Sequence, residues 1–212
     1  MEIFFRGIFI FILSLIFALL EIEIEGPNGW ARKLPTWYRK SGFFSKVFYN
    51  LFPRKPLTGY HFFVLPWVFL FLHFAFFIGL EWTIANEIAV LISFSLLIMA
   101  EDFLWFIFNP YFGVGKFKRE KIWWHSSMNW FFKHIPMVYL QGIFGLALLV
   151  FLASFLTGEM GLLYDSLMAF LVILVLTFIS MFFVPTYKKW YIRMRKIDES
   201  SFFKRKIKFK AP

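Results

Sequence analysis

Five long apolar runs, Ile3–Leu20, Tyr60–Leu80, Ile88–Phe108, Met137–Thr157 and Ser166–Val184, leave this 212-residue chain few ways to fold. At 1.5 Å per helical residue, each is about long enough to cross a hydrocarbon layer of roughly 30 Å. In lipid the protein must satisfy every backbone N–H and C=O itself, so only helices and closed barrels cross it. The runs lack the alternation of polar and apolar residues that marks a barrel strand. The chain is therefore expected to be an all-α polytopic membrane protein. Its predicted bundle of five transmembrane helices occupies residues 1–187, with a basic tail over 188–212. Only 17% of the residues are charged, where a soluble domain needs about 25% to cover its surface. The absence of cysteine excludes disulfides, thiolate metal sites and cysteine nucleophiles. The first run is expected to remain as a helix and not to leave as a signal peptide. Glu2 adjoins Met1, Arg6 is the one nearby cation, and Ala18-Leu19-Leu20 is a poor cleavage site.

The basic residues divide sharply between the two sides of such a bundle. Arg32, Lys33, Arg39, Lys40, Lys46, Arg54 and Lys55 lie between the first two runs. Lys116, Lys118, Arg119, Lys121 and Lys133 lie between the third and fourth, and ten more follow the fifth. The connectors Glu81–Glu87 and Gly158–Asp165 contain none, so 22 of 23 basic residues share one side. The positive-inside rule makes that side cytoplasmic, with the N-terminus outside and the C-terminus inside. An inner, cytoplasmic membrane with an anionic inner leaflet is the expected setting. Nucleic acid is not an expected partner, because the charge follows topology and no recognition motif accompanies it.

Two connectors on the basic side are aromatic as well as charged. Between residues 40 and 52, Phe43, Phe44, Val47, Phe48, Leu51 and Phe52 recur at helical spacing, with Lys40, Lys46 and Asn50 off the stripe. This is the pattern of a helix lying in the membrane interface. Trp124, Met128, Phe131, Phe132 and Ile135 suggest a similar segment over residues 120–135. Trp30, Trp37, Trp123, Trp124, Trp130 and Trp190 all belong to this side, as an aromatic belt requires. These stretches serve either as anchors or as a basic vestibule for an anionic lipid.

The chemistry is carried by polar groups that hydrocarbon does not tolerate. Glu101 and Asp102 lie about 10 Å inside the end of the third run. Such carboxylates cost on the order of 2.5–3.5 kcal/mol to insert, so they are expected to face the bundle interior with a partner. That partner is a loop cation, a metal, a proton or a histidine. Neighbours on a helix stand about 100° apart, so the two acids are not expected to reach one spot, whereas Asp102 and Asn109 share a face. Glu21, Glu23 and Glu25 follow the first run, with Glu21 and Glu25 on one side. His61 opens the second run, and His125 follows Trp123 and Trp124.

Carboxylates and imidazoles from four chain segments thus share one depth. Glu101, Asp102, His61 and His125 suit a divalent metal, Zn, Mn or Fe, by ligand type. Without a metal, Glu101, Asp102 and His125 form a general acid–base set, since burial brings such groups into working range. No HExxH or comparable spacing accompanies them, and structural pairing with Arg119, Lys121 or Lys55 competes with both readings. Mid-span His73 reads as an interhelical hydrogen-bond partner, and His134 as interfacial.

The stretches Gly29–Trp37 (GWARKLPTW), Thr58–His61 (TGYH), Glu101–Gly113 (EDFLWFIFNPYFG) and Trp123–His125 (WWH) resemble those of a group of small integral membrane proteins. The resemblance covers residues 20–145 and implies a membrane protein, with no activity or residue role attached.

Three functions remain open. One is an enzyme of the membrane interface that draws a lipid, isoprenoid or lipid-linked substrate from the inner leaflet. Its anionic headgroup would meet Arg32, Lys33, Lys55, Arg119 and Asn109. Another is a scaffold or assembly subunit whose polar cluster staples loops to the bundle. A proton- or cation-coupled transporter is the third, disfavoured because the outer half-membrane offers only His73.

Overall fold

The computed structural model describes residues 2–51, 55–122, 125, 129–132 and 135–198. Among them, five helices are long and apolar enough to cross a membrane, and the protein is an all-α polytopic membrane protein. Helix α1 (Glu2–Glu25) is followed by a looped segment carrying β1 (Tyr38–Arg39), α2 (Phe43–Leu51) and β2 (Leu57–Thr58). Helices α3 (Gly59–Phe77) and α4 (Ile84–Phe108) come next, then a second looped segment with β3 (Trp130–Phe131) and β4 (Ile135–Pro136). Helices α5 (Met137–Thr157) and α6 (Met160–Ser180) follow. A single 3-10 turn, Met181–Phe183, joins α6 to α7 (Val184–Lys196), so the last span continues well past its apolar run.

Helices α1 and α4 form the centre. α1 packs on α4 and α6, and α4 also meets α5, α6 and α3. Small residues make the close approaches. A Cβ on Gly7 would stand 2.8 Å from the Val172 Cβ on α6, so only glycine lets these two backbones come so near. Ser14 Oγ lies 3.1 Å from the Leu97 carbonyl of α4, a polar tie between central helices. The outward side chains of α3, α5 and α6 are large and apolar, among them Phe63, Phe144 and Phe178, because their solvent is lipid. Near the basic end the packing closes around α4, where every residue from Leu104 to Asn109 is buried. His73 Nε2 lies 3.1 Å from Glu87 Oε1 of α4, the interhelical bond expected of a lone histidine in a span.

The looped segments differ from the expected pattern in one place. α2 is a helix over Phe43–Leu51, within the stretch whose stripe suggested one. Phe43, Phe44 and Val47 stay exposed, and Phe48 packs on Trp30 with ring centroids 6.2 Å apart. The stretch 120–135 forms no helix among its described residues. Trp130 and Phe131 pair antiparallel with Pro136 and Ile135, and Phe132 has a φ of +46°, which no right-handed helix passes through. Apolar residues at helical spacing also suit a short hairpin, and Pro136 has no N–H with which to continue a helical ladder. Trp123, Trp124, Met128, Lys133 and His134 lie outside the described residues.

The first helix also outruns its apolar stretch. It stays helical to Glu25, so Glu21, Glu23 and Glu25 lie on its last turns. Glu23 bonds at 2.8 Å to Arg195 of α7, tying the two helix ends together on the basic side.

Candidate functional site

The basic ends of α1, α3, α4 and α5 enclose a cavity of about 240 Å³, roofed by the loop after α1, by Lys55 and by His125. Helical periodicity explains how its walls assemble. Glu21 and Glu25 are one turn apart and share a face of α1, while Tyr139 and Gly142 share a face at the start of α5. Glu101 and Asp102 both line the cavity, contrary to the expectation that adjacent residues cannot serve one site. The angle between them is used differently. Glu101 lies beside Glu21 of α1, whereas Asp102 reaches Tyr139 of α5, so each acid supplies a different wall.

On the Asp102 wall, the Tyr139 hydroxyl donates to Asp102 Oδ2. The same oxygen stands 3.9 Å from His125 Nε2. His125 is held by its backbone, whose N–H donates to the Ile122 carbonyl at 3.1 Å and whose carbonyl accepts from Trp130 Nε1 at 3.0 Å. Burial pushes the His125 imidazole down to about 3, helped by the nearby Lys55 charge and opposed by Asp102. The ring is therefore neutral at physiological pH.

On the opposite wall, Glu21 sits between Glu101 and Tyr60, with Glu25 one turn further along. Lys55 is buried, and its ammonium lies 4.1 Å from the centre of the Trp30 ring. Burial lowers the pKa of Lys55, but Asp102, Glu25, Glu101 and Glu21 all act to keep it charged. Trp30 also stacks on His61, with centroids 4.1 Å apart and planes within 17°. Thr58, the N-cap of α3, holds His61 in place. Its Oγ1 accepts from the His61 backbone N–H at 3.2 Å and lies 2.6 Å from Nδ1, leaving Nε2 for other partners.

Trp30 owes its position to strained backbone. Gly29, Trp30 and Ala31 have φ of +64°, +48° and +50°, a left-handed run that costs roughly 1–2 kcal/mol at each non-glycine residue. Three bonds compensate. Glu25 Oε1 accepts from the Ala31 N–H, the Tyr38 hydroxyl donates to the Ala31 carbonyl, and Trp30 Nε1 donates to the Pro56 carbonyl at 3.2 Å. Strain held this way is typical of a backbone set by a site and not by its own preferences.

The residues singled out in the sequence separate into two groups. Glu101, Asp102, His61, His125 and Lys55 converge on the cavity. Arg32, Lys33 and Arg119 are exposed on the loops and do not line it. Asn109, expected to meet a headgroup, is fully buried elsewhere. Its amide N–H donates to the Gly26 carbonyl at 2.8 Å and its Oδ1 accepts from the Tyr111 N–H at 3.0 Å, which ties the loop after α1 to the turn that ends α4. Glu21 and Glu25, read as sharing one side of the first helix, both line the cavity, and Trp30, read only as part of the aromatic belt, joins them; sequence reasoning missed Tyr139 and Tyr60. For Tyr139 a signal existed, a hydroxyl in the first turn of a span at the depth of Asp102.

The metal expectation gains no support. Among the described residues no three His, Asp or Glu side chains group as a metal would require. Lys55 already places a positive charge among the carboxylates, which is the electrostatic part a bound cation would play. Compared with known protein families, curated proteins and solved structures, the chain matches none.

Proposed function

We propose that the protein is an enzyme of the membrane interface, acting by general acid–base catalysis on a lipid drawn sideways from the bilayer. The supporting observation is the state of Glu101. Its carboxyl is buried in the cavity wall, and Oε1 has no hydrogen-bond partner among the described residues. A buried, unsatisfied carboxyl oxygen costs free energy unless something completes it, and a substrate hydroxyl or water in the cavity would do so. Glu101 and its neighbour Glu21 form a carboxyl pair suited to holding and passing one proton. Across the cavity, Asp102 supplies a carboxylate that accepts from the Tyr139 hydroxyl, with the neutral His125 ring 3.9 Å away as a polar wall for the substrate. The substrate class remains that of a phospholipid, isoprenoid or other lipid-linked molecule. Exposed Arg32, Lys33 and Arg119 would hold its anionic group at the headgroup layer. On this reading the basic side faces the cytoplasm of an inner membrane, as the charge distribution implies.

A scaffold reading has its own observation. Glu25 and Asn109 spend their polar groups fastening the loop after α1, as a stapling cluster would. The two separate on one experiment. Purified protein is incubated in nanodiscs made from a total membrane lipid extract, and the lipids are followed by mass spectrometry. The enzyme reading expects wild type to convert a lipid species and Glu101→Gln to leave it unchanged while keeping its thermal midpoint. No conversion by wild type, with a lowered midpoint in Glu101→Gln, would leave the scaffold.

A further inference from the structure

We propose that the apolar groove between α4, α5 and α6 holds one acyl chain of the phospholipid whose headgroup enters the polar cavity. The headgroup half of this statement rests on the enzyme reading above; the groove itself does not. It is a second cavity of about 240 Å³, lined by Ile92 and Leu96 of α4, Leu146 and Val150 of α5, and Leu163 and Phe170 of α6. Its one hydroxyl, Ser166, is already spent on the Leu162 carbonyl at 2.7 Å. Nothing in the lining asks for a polar ligand, and hydrocarbon is what it fits.

The groove and the polar cavity adjoin. Met99 lines both, and on α5 Gly142 lines the polar cavity while its neighbour Ile143 lines the groove. A Cβ on Gly142 would lie 3.5 Å from Met99 Sδ, so the missing side chain opens the space beside an unbranched, flexible one. The direction is also that of a lipid. From Met99 to Ile92 the groove follows α4 for two turns, about 10 Å, away from the basic end. Antiparallel α5 covers the same depth from Ile143 to Val150. A molecule with its polar part among Glu101, Asp102 and Lys55 therefore has its chain directed into the membrane interior.

An acyl chain of a two-chain lipid is favoured by the groove's open side. Ile143, Ala147 and Leu167 line it and are exposed to the bilayer. One chain can lie in the groove while the other stays in the membrane.

The test uses the full-length protein in nanodiscs of phosphatidylcholine and phosphatidylglycerol, a trace of the latter carrying a diazirine in one acyl chain. After photolysis the labelled residues are mapped by peptide mass spectrometry. Leu146, Leu163 and Leu167 are expected to label about tenfold more than lipid-facing Phe144 and Phe151, as a site favouring the chain by one decade of affinity requires. Ala147→Phe, which fills the groove, should reduce the label to that background. Leu167→Trp fills it from α6 should the first variant fail to fold. Equal labelling of groove and lipid-facing residues overturns the proposal. Displacement of the label by a polyprenyl phosphate, with no displacement by unlabelled phosphatidylglycerol, overturns the acyl assignment. Glu101→Gln should retain the chain label, so loss of the enzyme reading and loss of the groove give different results.

Discussion

The Tyr139 hydroxyl on α5 donates its hydrogen bond to the Asp102 carboxylate on α4, across the wall of the polar cavity. Tyr139→Phe removes the donor and leaves a carboxylate oxygen without it. A bond to a charged group contributes about 1.5–3 kcal/mol, and the thermal midpoint in detergent should fall accordingly. Asp102→Asn keeps an acceptor for the phenol and should fall less. Equal midpoints for Tyr139→Phe and wild type would show that the bond carries no weight.

Lys55 is the cation that lets four acids share one cavity. Lys55→Met leaves Glu21, Glu25, Glu101 and Asp102 without a buried cation whose charge acts on all four, and the midpoint of denaturation should fall. Lys55→Arg preserves the charge and should lower it by less than half as much. Chemical denaturation in mixed micelles distinguishes them. A Lys55→Met protein as stable as wild type would mean that the acids do not depend on this lysine.

His125 links the site to pH. The unfolded chain protonates this imidazole near its ordinary value of about 6.5, whereas the folded protein holds it neutral down to about 3. Between those values the unfolded state binds more protons, so stability falls as pH falls, by up to about 1.4 kcal/mol per unit. The contribution is fully present above the upper value. His125→Gln should flatten the thermal midpoint against pH relative to wild type over this window. Parallel curves for the two proteins would rule out His125 as the source.

At the other membrane face, His73 bonds to Glu87 and takes no part in the cavity. A double-mutant cycle with His73→Phe and Glu87→Gln should give a coupling of roughly 0.2–1 kcal/mol, the range of a partly exposed pair. Lipid conversion should be unchanged by His73→Phe. A liposome ion flux abolished by that substitution would instead favour the transporter.

The five spans and the one-sided placement of basic charge were readable directly from the residues. Hydrocarbon imposes backbone satisfaction and charge exclusion on each segment separately, so linear order carries that information. The same cost of burial marked Glu101 and Asp102 as needing partners. The identity of those partners came from the tertiary structure alone. Helical spacing gives a residue's depth and direction on its own helix, but not which neighbour lies opposite. Tyr139 facing Asp102, and Glu21 beside Glu101, depend on how α5 and α1 rotate against α4. Choosing Lys55 over Arg119 as the buried cation required the loop after α1 to fold inward. That loop is held by Glu25 and Tyr38, six and seven residues from Ala31, and by Pro56, 26 residues from Trp30, contacts that follow no helical or strand period and so could not be read from the residues.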